Sequence, residues 1–327
     1  MKVDSLLPPS DGSLLPEDWI HRELSFISTL APIQSLSVEA LARKNIRLSI
    51  KREDLLHPRL GGNKIYKLYG HLRKALIRPD LPIASFGGAY SNHIYALAAA
   101  GKSLNLTTIG IIRGERPAQL SATLQDAVEQ GMNLIFVSRQ DYRLKDTYAF
   151  RQTISAPWGD CHWIPEGGAG REGIEGCVEL ARGIIASVDS KPDIVCHACG
   201  TGFTVAGLVI GLALSPVEKI NVLGVSVLKG YKQLTLDIAS QIQRFGFQSR
   251  QWRVDDNYHC GGYAKYPEYL ASFVRSFEEE TSVPLDPVYT AKMMWGIVNL
   301  AEQGVFPEGA RILAIHSGGL QGKRGVE

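Results

Sequence analysis

Gly61-Gly62-Asn63-Lys64 places an amine at the start of a helix. The segment 46–50 before it alternates apolar and polar residues, and Ile65, Leu68, Tyr69, Leu72 and Leu76 after it recur at helical spacing. The pattern predicts a strand, a glycine loop and a helix in that order. An ammonium group there meets the positive end of the helix dipole among apolar neighbours, and both disfavour its protonated form. Lys64 is therefore a candidate nucleophilic amine. The plainer reading is a solvated lysine at a helix end.

Two further stretches carry anion-binding features. In Ser85-Phe86-Gly87-Gly88-Ala89-Tyr90-Ser91-Asn92-His93 an apolar strand stops at two glycines, and Ser91-Asn92 opens a helix. Ser and Asn are preferred helix caps, and the backbone N–H groups of the same turn hold an anion, so capping and carboxylate binding are compatible. Cys199-Gly200-Thr201-Gly202-Phe203-Thr204 lies between a strand at 193–197 and a helix at 203–214. Glycine lets backbone approach a phosphate, and the helix N-terminus and threonine hydroxyls face it; a simple tight turn is the alternative. The spacing lacks the Gly-Lys-Ser/Thr of a Walker loop, and Val205 stands where a dinucleotide fingerprint needs its third glycine. A monophosphate fits better than a dinucleotide.

Asp286-Pro287-Val288-Tyr289-Thr290 reads as a helix start with Asp286 as its cap, and Ser317 ends an apolar strand on the side where α/β proteins place ligands. Cys196-His197-Ala198-Cys199 has metal or redox spacing, but no second pair accompanies it, so no metal site is expected. Gly-x-Ser-x-Gly is absent, which argues against a serine hydrolase. A lysine amine plus a monophosphate site is what pyridoxal 5'-phosphate (PLP) requires: its aldehyde condenses with the lysine and its phosphate sits at a helix end.

The elements that must position these residues alternate along the chain. Strands are expected at 82–86, 107–112 and 134–137 with helices after the first two, then strands at 193–197, 220–228 and 311–316 with helices at 172–185, 203–214, 234–245, 266–280 and 288–303. Such order implies parallel sheets covered by helices. Residues 139–165 read as irregular, and 1–31 as an extended arm with a short helix around 17–30. The expected division is a discontinuous larger domain, 1–66 and 158–327, with a smaller one, 67–157, inserted into it and carrying the Ser-Asn loop. The 327 residues, 45% hydrophobic and 21% charged, suit a globular chain of two domains. A net charge of +2, with 35 basic and 33 acidic residues dispersed, gives no sign of a nucleic-acid or membrane partner. The five cysteines are an odd number and suit reduced thiols, and no signal peptide is recognisable, so a cytoplasmic protein is expected.

With these motifs in place, residues 32–320 resemble the fold-type II PLP enzymes, in the branch containing 1-aminocyclopropane-1-carboxylate (ACC) deaminase and D-cysteine desulfhydrase. The resemblance rests on Lys51-Arg52-Glu53-Asp54, Gly61-Gly62-Asn63-Lys64 with Lys67-Leu68, Gly87-Gly88 with Ser91-Asn92, Gly200-Thr201-Gly202 with Thr204, Asp286-Pro287-Val288-Tyr289 and Ser317-Gly318-Gly319. It implies a tryptophan synthase β-subunit-like fold of two open, mainly parallel twisted sheets, and a homodimer acting on a small amino acid. It selects Lys64 over Lys67 as the Schiff-base lysine and assigns Asn92 to the pyridoxal hydroxyl and Ser91 to the substrate carboxylate or proton transfer. The resemblance also gives the phosphate to Cys199 to Thr204 and catalytic roles to Tyr263 and Tyr289. ACC deaminases resemble one another in a glutamate, a leucine and a glutamine where this chain has Thr290, Ser317 and His93. That places Thr290 and Ser317 at the cofactor and His93 at the substrate, and it implies D-cysteine desulfhydrase-like elimination, with ACC deamination or a PLP-binding protein without turnover as alternatives. Tyr66 stands where relatives usually carry arginine, and 257–266 differs from both branches.

Overall fold

The structure, a computed structural model, describes residues 13–188, 190–215 and 219–325. Apolar runs that end in glycine or small polar residues become its strands. In chain order these are β1 (Ile33–Leu36), β2 (Arg47–Lys51), β3 (Ile83–Gly87), β4 (Thr108–Arg113), β5 (Asn133–Val137), β6 (His162–Ile164), β7 (Ile194–Cys199), β8 (Asn221–Ser226), β9 (Trp252–Asp255) and β10 (Arg311–Ile315). Two sheets result, one in the order β1-β2-β10-β7-β8-β9 and one in the order β5-β4-β3-β6. Every pairing is parallel except β1 with β2. Parallel strands are covered on both faces, which is why β3 is buried at all five positions.

The structure departs from the sequence reading in several places, among them the edge strands β1 and β9, which were not expected. Residues 162–164 pair in parallel with 83–85, so the smaller sheet runs past the boundary expected at 157. The stretch read as irregular holds a helix, Tyr148–Ser155, and β6, which at three residues is too short to show a period. Of the expected arm, residues 1–12 lie outside the described residues, while the rest packs firmly. Trp19, Ile20, Leu24 and Ile27 are buried in the helix Leu24–Leu30 and the turn before it. Lys51 anchors this segment by donating to the carbonyls of Ser28 at 2.6 Å and Ala31 at 3.0 Å. Among the described residues no helix is long and apolar enough to cross a membrane.

The helix Lys64–Ala75 presents Ile65, Leu68 and Leu72 to the core and lies along the helix Arg171–Ser187. Their close approach depends on Gly176, since a Cβ there would collide with the Tyr66 carbonyl. This contact fixes how far Lys64 reaches toward the carboxyl ends of the larger sheet's strands.

Candidate active site

Gly62 sets the start of the lysine helix. Its φ is +76°, and a Cβ would strike the Ser317 carbonyl, so only glycine lets this loop lie against the chain leaving β10. Lys64 follows as the first residue of the helix, and its Nζ donates to Asn63 Oδ1 at 3.0 Å. The Asn63 amide nitrogen donates to Thr204 Oγ1 at 3.1 Å and lies 3.3 Å from His197 Nε2. One asparagine thus ties the amine to the glycine loop after β7. Burial, and next to it the cation of Lys67, bring the Lys64 pKa down to about 7. At neutral pH much of this lysine is a free amine.

Lys67, which the resemblance sets aside in favour of Lys64 as the Schiff-base lysine, lies one turn further along the same helix. It is buried, burial pulls its pKa below the ordinary value, and it forms no ion pair among the described residues. Its ammonium lies over the Phe203 ring, 5.7 Å from the centroid, beside the glycine loop. A lysine three residues after Lys64, on the apolar stripe of Ile65, Leu68 and Leu72, was the available signal.

The loop itself runs from Cys199 to the helix Phe203–Ala213, with Gly202 at φ +83° as its first cap residue. The first-turn N–H groups of a helix have no carbonyl behind them and face outward with the positive end of the dipole. Thr204 is buried and holds Asn63, whereas Thr201 is exposed. Cys199 contributes backbone only: its thiol is buried in the core, which raises its pKa to about 12. Cys196, the other half of the Cys-x-x-Cys, faces the opposite core of the same sheet, and among the described residues no three metal-binding groups cluster.

Ser91 caps the helix Asn92–Ser103, accepting from Ile94 N at 3.3 Å, and remains half-buried with Asn92 at the cleft. A cavity lined by Lys64, Asn92, Ser317, Gly318, Gly319 and Gln321 brings three of the expected site residues together. Tyr263 and Tyr289 also meet, with ring centroids 6.2 Å apart and planes at 75°. Burial first, then the neighbouring phenol, pushes Tyr289 well above the ordinary tyrosine range. The loop carrying Tyr263 is held by Lys292, whose Nζ donates to the Gly262 carbonyl at 2.6 Å and whose pKa burial lowers to about 8.

Two expected residues have their side chains committed within the protein. His93 is only 2% exposed, and its Nε2 is 2.7 Å from Ser85 Oγ, which in turn donates to the Ile164 carbonyl at 2.8 Å. Ser85 has spent its proton, so His93 Nε2–H is the donor and the ring is neutral, its pKa held far down by burial. The ring is fastened to β3 instead of facing a substrate, because a helix position two past the cap turns inward. Thr290 is fully buried, and its hydroxyl donates to Asp286 Oδ2 at 2.6 Å. Asp286 also accepts from the backbone N–H groups of Val288 at 3.0 Å and of Tyr289 and Thr290 at 2.7 Å. Thr290 therefore serves the cap of its own helix.

Buried Lys67, the amine of Lys64 and the outward N–H groups of the loop give this region a positive character; Asp54, which lines the cavity, is paired with Arg52, and Asp286 is committed to backbone N–H groups. A phosphate dianion on the loop, an aldehyde at Lys64 and a hydroxyl at Asn92 supply what this pocket lacks, so the residues fit PLP.

Comparison with known proteins agrees. The family described as pyridoxal-phosphate dependent enzyme matches residues 29–318. A Pyrococcus horikoshii protein named as a putative 1-aminocyclopropane-1-carboxylate deaminase is 30% identical over 278 residues, 84% of each chain. The mitochondrial bifunctional D-cysteine desulfhydrase/1-aminocyclopropane-1-carboxylate deaminase of Arabidopsis thaliana is 30% identical over 292 residues, 84% of this chain and 73% of that protein. Among solved structures, an ACC deaminase homologue superposes with a TM-score of 0.79 at 29% identity, over 90% of both chains.

Proposed function

Since the chain belongs to the pyridoxal-phosphate dependent enzyme family, as a fold-type II PLP-dependent lyase, we propose that it carries out D-cysteine desulfhydrase-like α,β-elimination. The reaction takes D-cysteine and water to pyruvate, ammonia and hydrogen sulfide. The observation that carries the choice is the state of Asp286. Its two oxygens accept three backbone N–H groups and the Thr290 hydroxyl, and Asp54, which lines the cavity, is held by Arg52, so neither carboxylate is free to hold a proton on a ring nitrogen. A neutral surrounding gives a weaker electron sink, which suffices for loss of sulfide better than for opening a cyclopropane. ACC deamination to 2-oxobutyrate and ammonia is the second reading, favoured by the name of the Pyrococcus horikoshii relative.

Bound, the cofactor supplies a sink for the electron pair left at Cα. Lys67 and the N–H groups of Gly200 to Thr204 would hold its phosphate, and the Asn92 amide would face its phenolic oxygen. Ser91 and the first N–H groups of its helix hold the substrate carboxylate. Lys64 Nζ, neutral at working pH, takes the α-proton. A phenol of the Tyr263–Tyr289 pair, kept protonated by burial, gives a proton to the departing sulfur. The protein works in this reading as a cytoplasmic homodimer.

The test incubates the purified, PLP-loaded protein with D-cysteine, L-cysteine and ACC in separate tubes and identifies the keto acid. Pyruvate from D-cysteine supports the proposal, and 2-oxobutyrate from ACC replaces it with the second reading. Lys64→Ala must lose both turnover and the visible band of bound cofactor; retention of either removes Lys64 from its role.

A further inference from the structure

The turn Leu320–Gly325 is unexplained by the chemistry so far, yet it enters the site. Gln321 Nε2 donates to Asn92 Oδ1 at 2.6 Å, and both residues line the cavity that holds Lys64 and Ser317. On its other side the Asn92 amide nitrogen packs over Gly319, which has φ +90° and whose Cβ would collide with that nitrogen. The turn is itself pinned, by Lys323 to Glu278 Oε1 at 2.5 Å and by Arg324 to Asp126. Gln321 therefore meets Asn92 from a fixed base.

A primary amide has two ends of almost equal size and opposite hydrogen-bonding sense, the oxygen accepting and the nitrogen donating. Nothing in its shape prevents a half-turn, so its orientation comes from its partners. An ionised phenolic oxygen accepts only. It is stabilised by the amide nitrogen and repelled by the amide oxygen. We infer that Gln321 is a positioning residue: by occupying Asn92 Oδ1 it leaves the Asn92 N–H donors for the cofactor's phenolic oxygen. The inference rests on the reading of Asn92 given above and deepens it, since it identifies what holds that amide in its working orientation.

Gln321→Met keeps the length of the side chain and removes its donor. Gln321→Glu offers an acceptor only, which draws the Asn92 nitrogen toward itself and turns the oxygen to the cavity. Three quantities are measured for each variant, for Asn92→Ala and for the double variant Asn92→Ala/Gln321→Met: the PLP dissociation constant, the visible band of bound cofactor at fixed pH, and the unfolding midpoint of the cofactor-free protein. Gln321→Met is expected to weaken PLP binding about tenfold, the scale of one charge-assisted hydrogen bond. It is also expected to lower the band of the ionised form, with the cofactor-free midpoint unchanged. Gln321→Glu goes further in the same direction, and the double variant is no worse than Asn92→Ala alone. Wild-type affinity and spectrum in Gln321→Met, beside a clear loss in Asn92→Ala, overturn the inference and leave the reading of Asn92 standing. Additive losses with a lowered cofactor-free midpoint also overturn it, as a purely structural role. No loss in Asn92→Ala removes the reading of Asn92 itself, and the inference falls with it.

Discussion

At the residue scale the site is a problem in keeping amines neutral. Lys64 is moved from the ordinary 10.5 to about 7 by burial first and by Lys67 second. The sign is the useful one: the folded protein favours the free amine, so reactivity with a carbonyl rises as pH climbs through about 7 and is already complete where a surface lysine has barely begun to titrate. Reductive methylation of the cofactor-free protein, read site by site by mass spectrometry, should give Lys64 a midpoint near 7 while surface lysines follow the ordinary range. Lys67→Met should lower that midpoint's displacement only in part, since the larger cause, burial, survives. A Lys64 profile that tracks the surface lysines would remove the account of its activation. The placement of Lys64, Ser91, Asn92 and the glycine loop at helix starts was legible because glycines and caps mark such turns, and Lys64 and Asn92 do line one cavity. The partners of His93 and Thr290 were not legible, because the contact a helical side chain makes depends on a neighbour, Ser85 in one case and Asp286 in the other. The contacts of Lys67, Lys292 and Gln321 were not legible for the same reason: they join residues far apart in the chain.

At the element scale the alternation of strand and helix was readable from period alone, and both sheets were implied by it. What escaped were β1, β6 and β9, three or four residues long, which form because neighbouring strands offer them an edge and not because their own sequence demands it. Helix spacing escaped as well, since it is decided by single glycines. Gly176 illustrates the balance of magnitudes. Alanine in a helix interior is worth about 1 kcal/mol over glycine, but a Cβ at 176 meets the Tyr66 backbone, which no rotamer change can relieve. Separating the two helices costs on the order of 1–3 kcal/mol or more, so Gly176→Ala is expected to destabilise the cofactor-free protein on denaturant titration. It should also weaken PLP binding by about an order of magnitude, because the displaced helix is the one that carries Lys64. Higher stability with unchanged affinity would show that the two helices have slack there.

At the scale of the whole molecule, the proposed PLP pocket draws its walls from both sheets. Ser91 and Asn92 follow β3 of the smaller sheet, while the glycine loop and Ser317 follow β7 and β10 of the larger. The C-terminal turn spans the same divide, with Gln321 on Asn92, Arg324 on Asp126 and Lys323 on Glu278. A ligand gripped from both sides and absent from the unfolded chain stabilises by mass action, about 2.7 kcal/mol at a hundredfold excess over its dissociation constant. For a chain of this length that amounts to a rise in midpoint of roughly 3–5 °C. PLP should therefore raise the thermal midpoint of the cofactor-free protein, and inorganic phosphate, which meets only the loop and Lys67, should raise it less. In Lys64→Ala the PLP effect should fall toward that of phosphate, because the covalent anchor is gone while the cradle is intact. The number of transitions carries the rest of the argument. If the ligand ties the sheets into one cooperative unit, a single transition moves as a whole; two transitions of which only one responds to PLP would place the binding energy in one sheet and break the picture of a pocket shared between them.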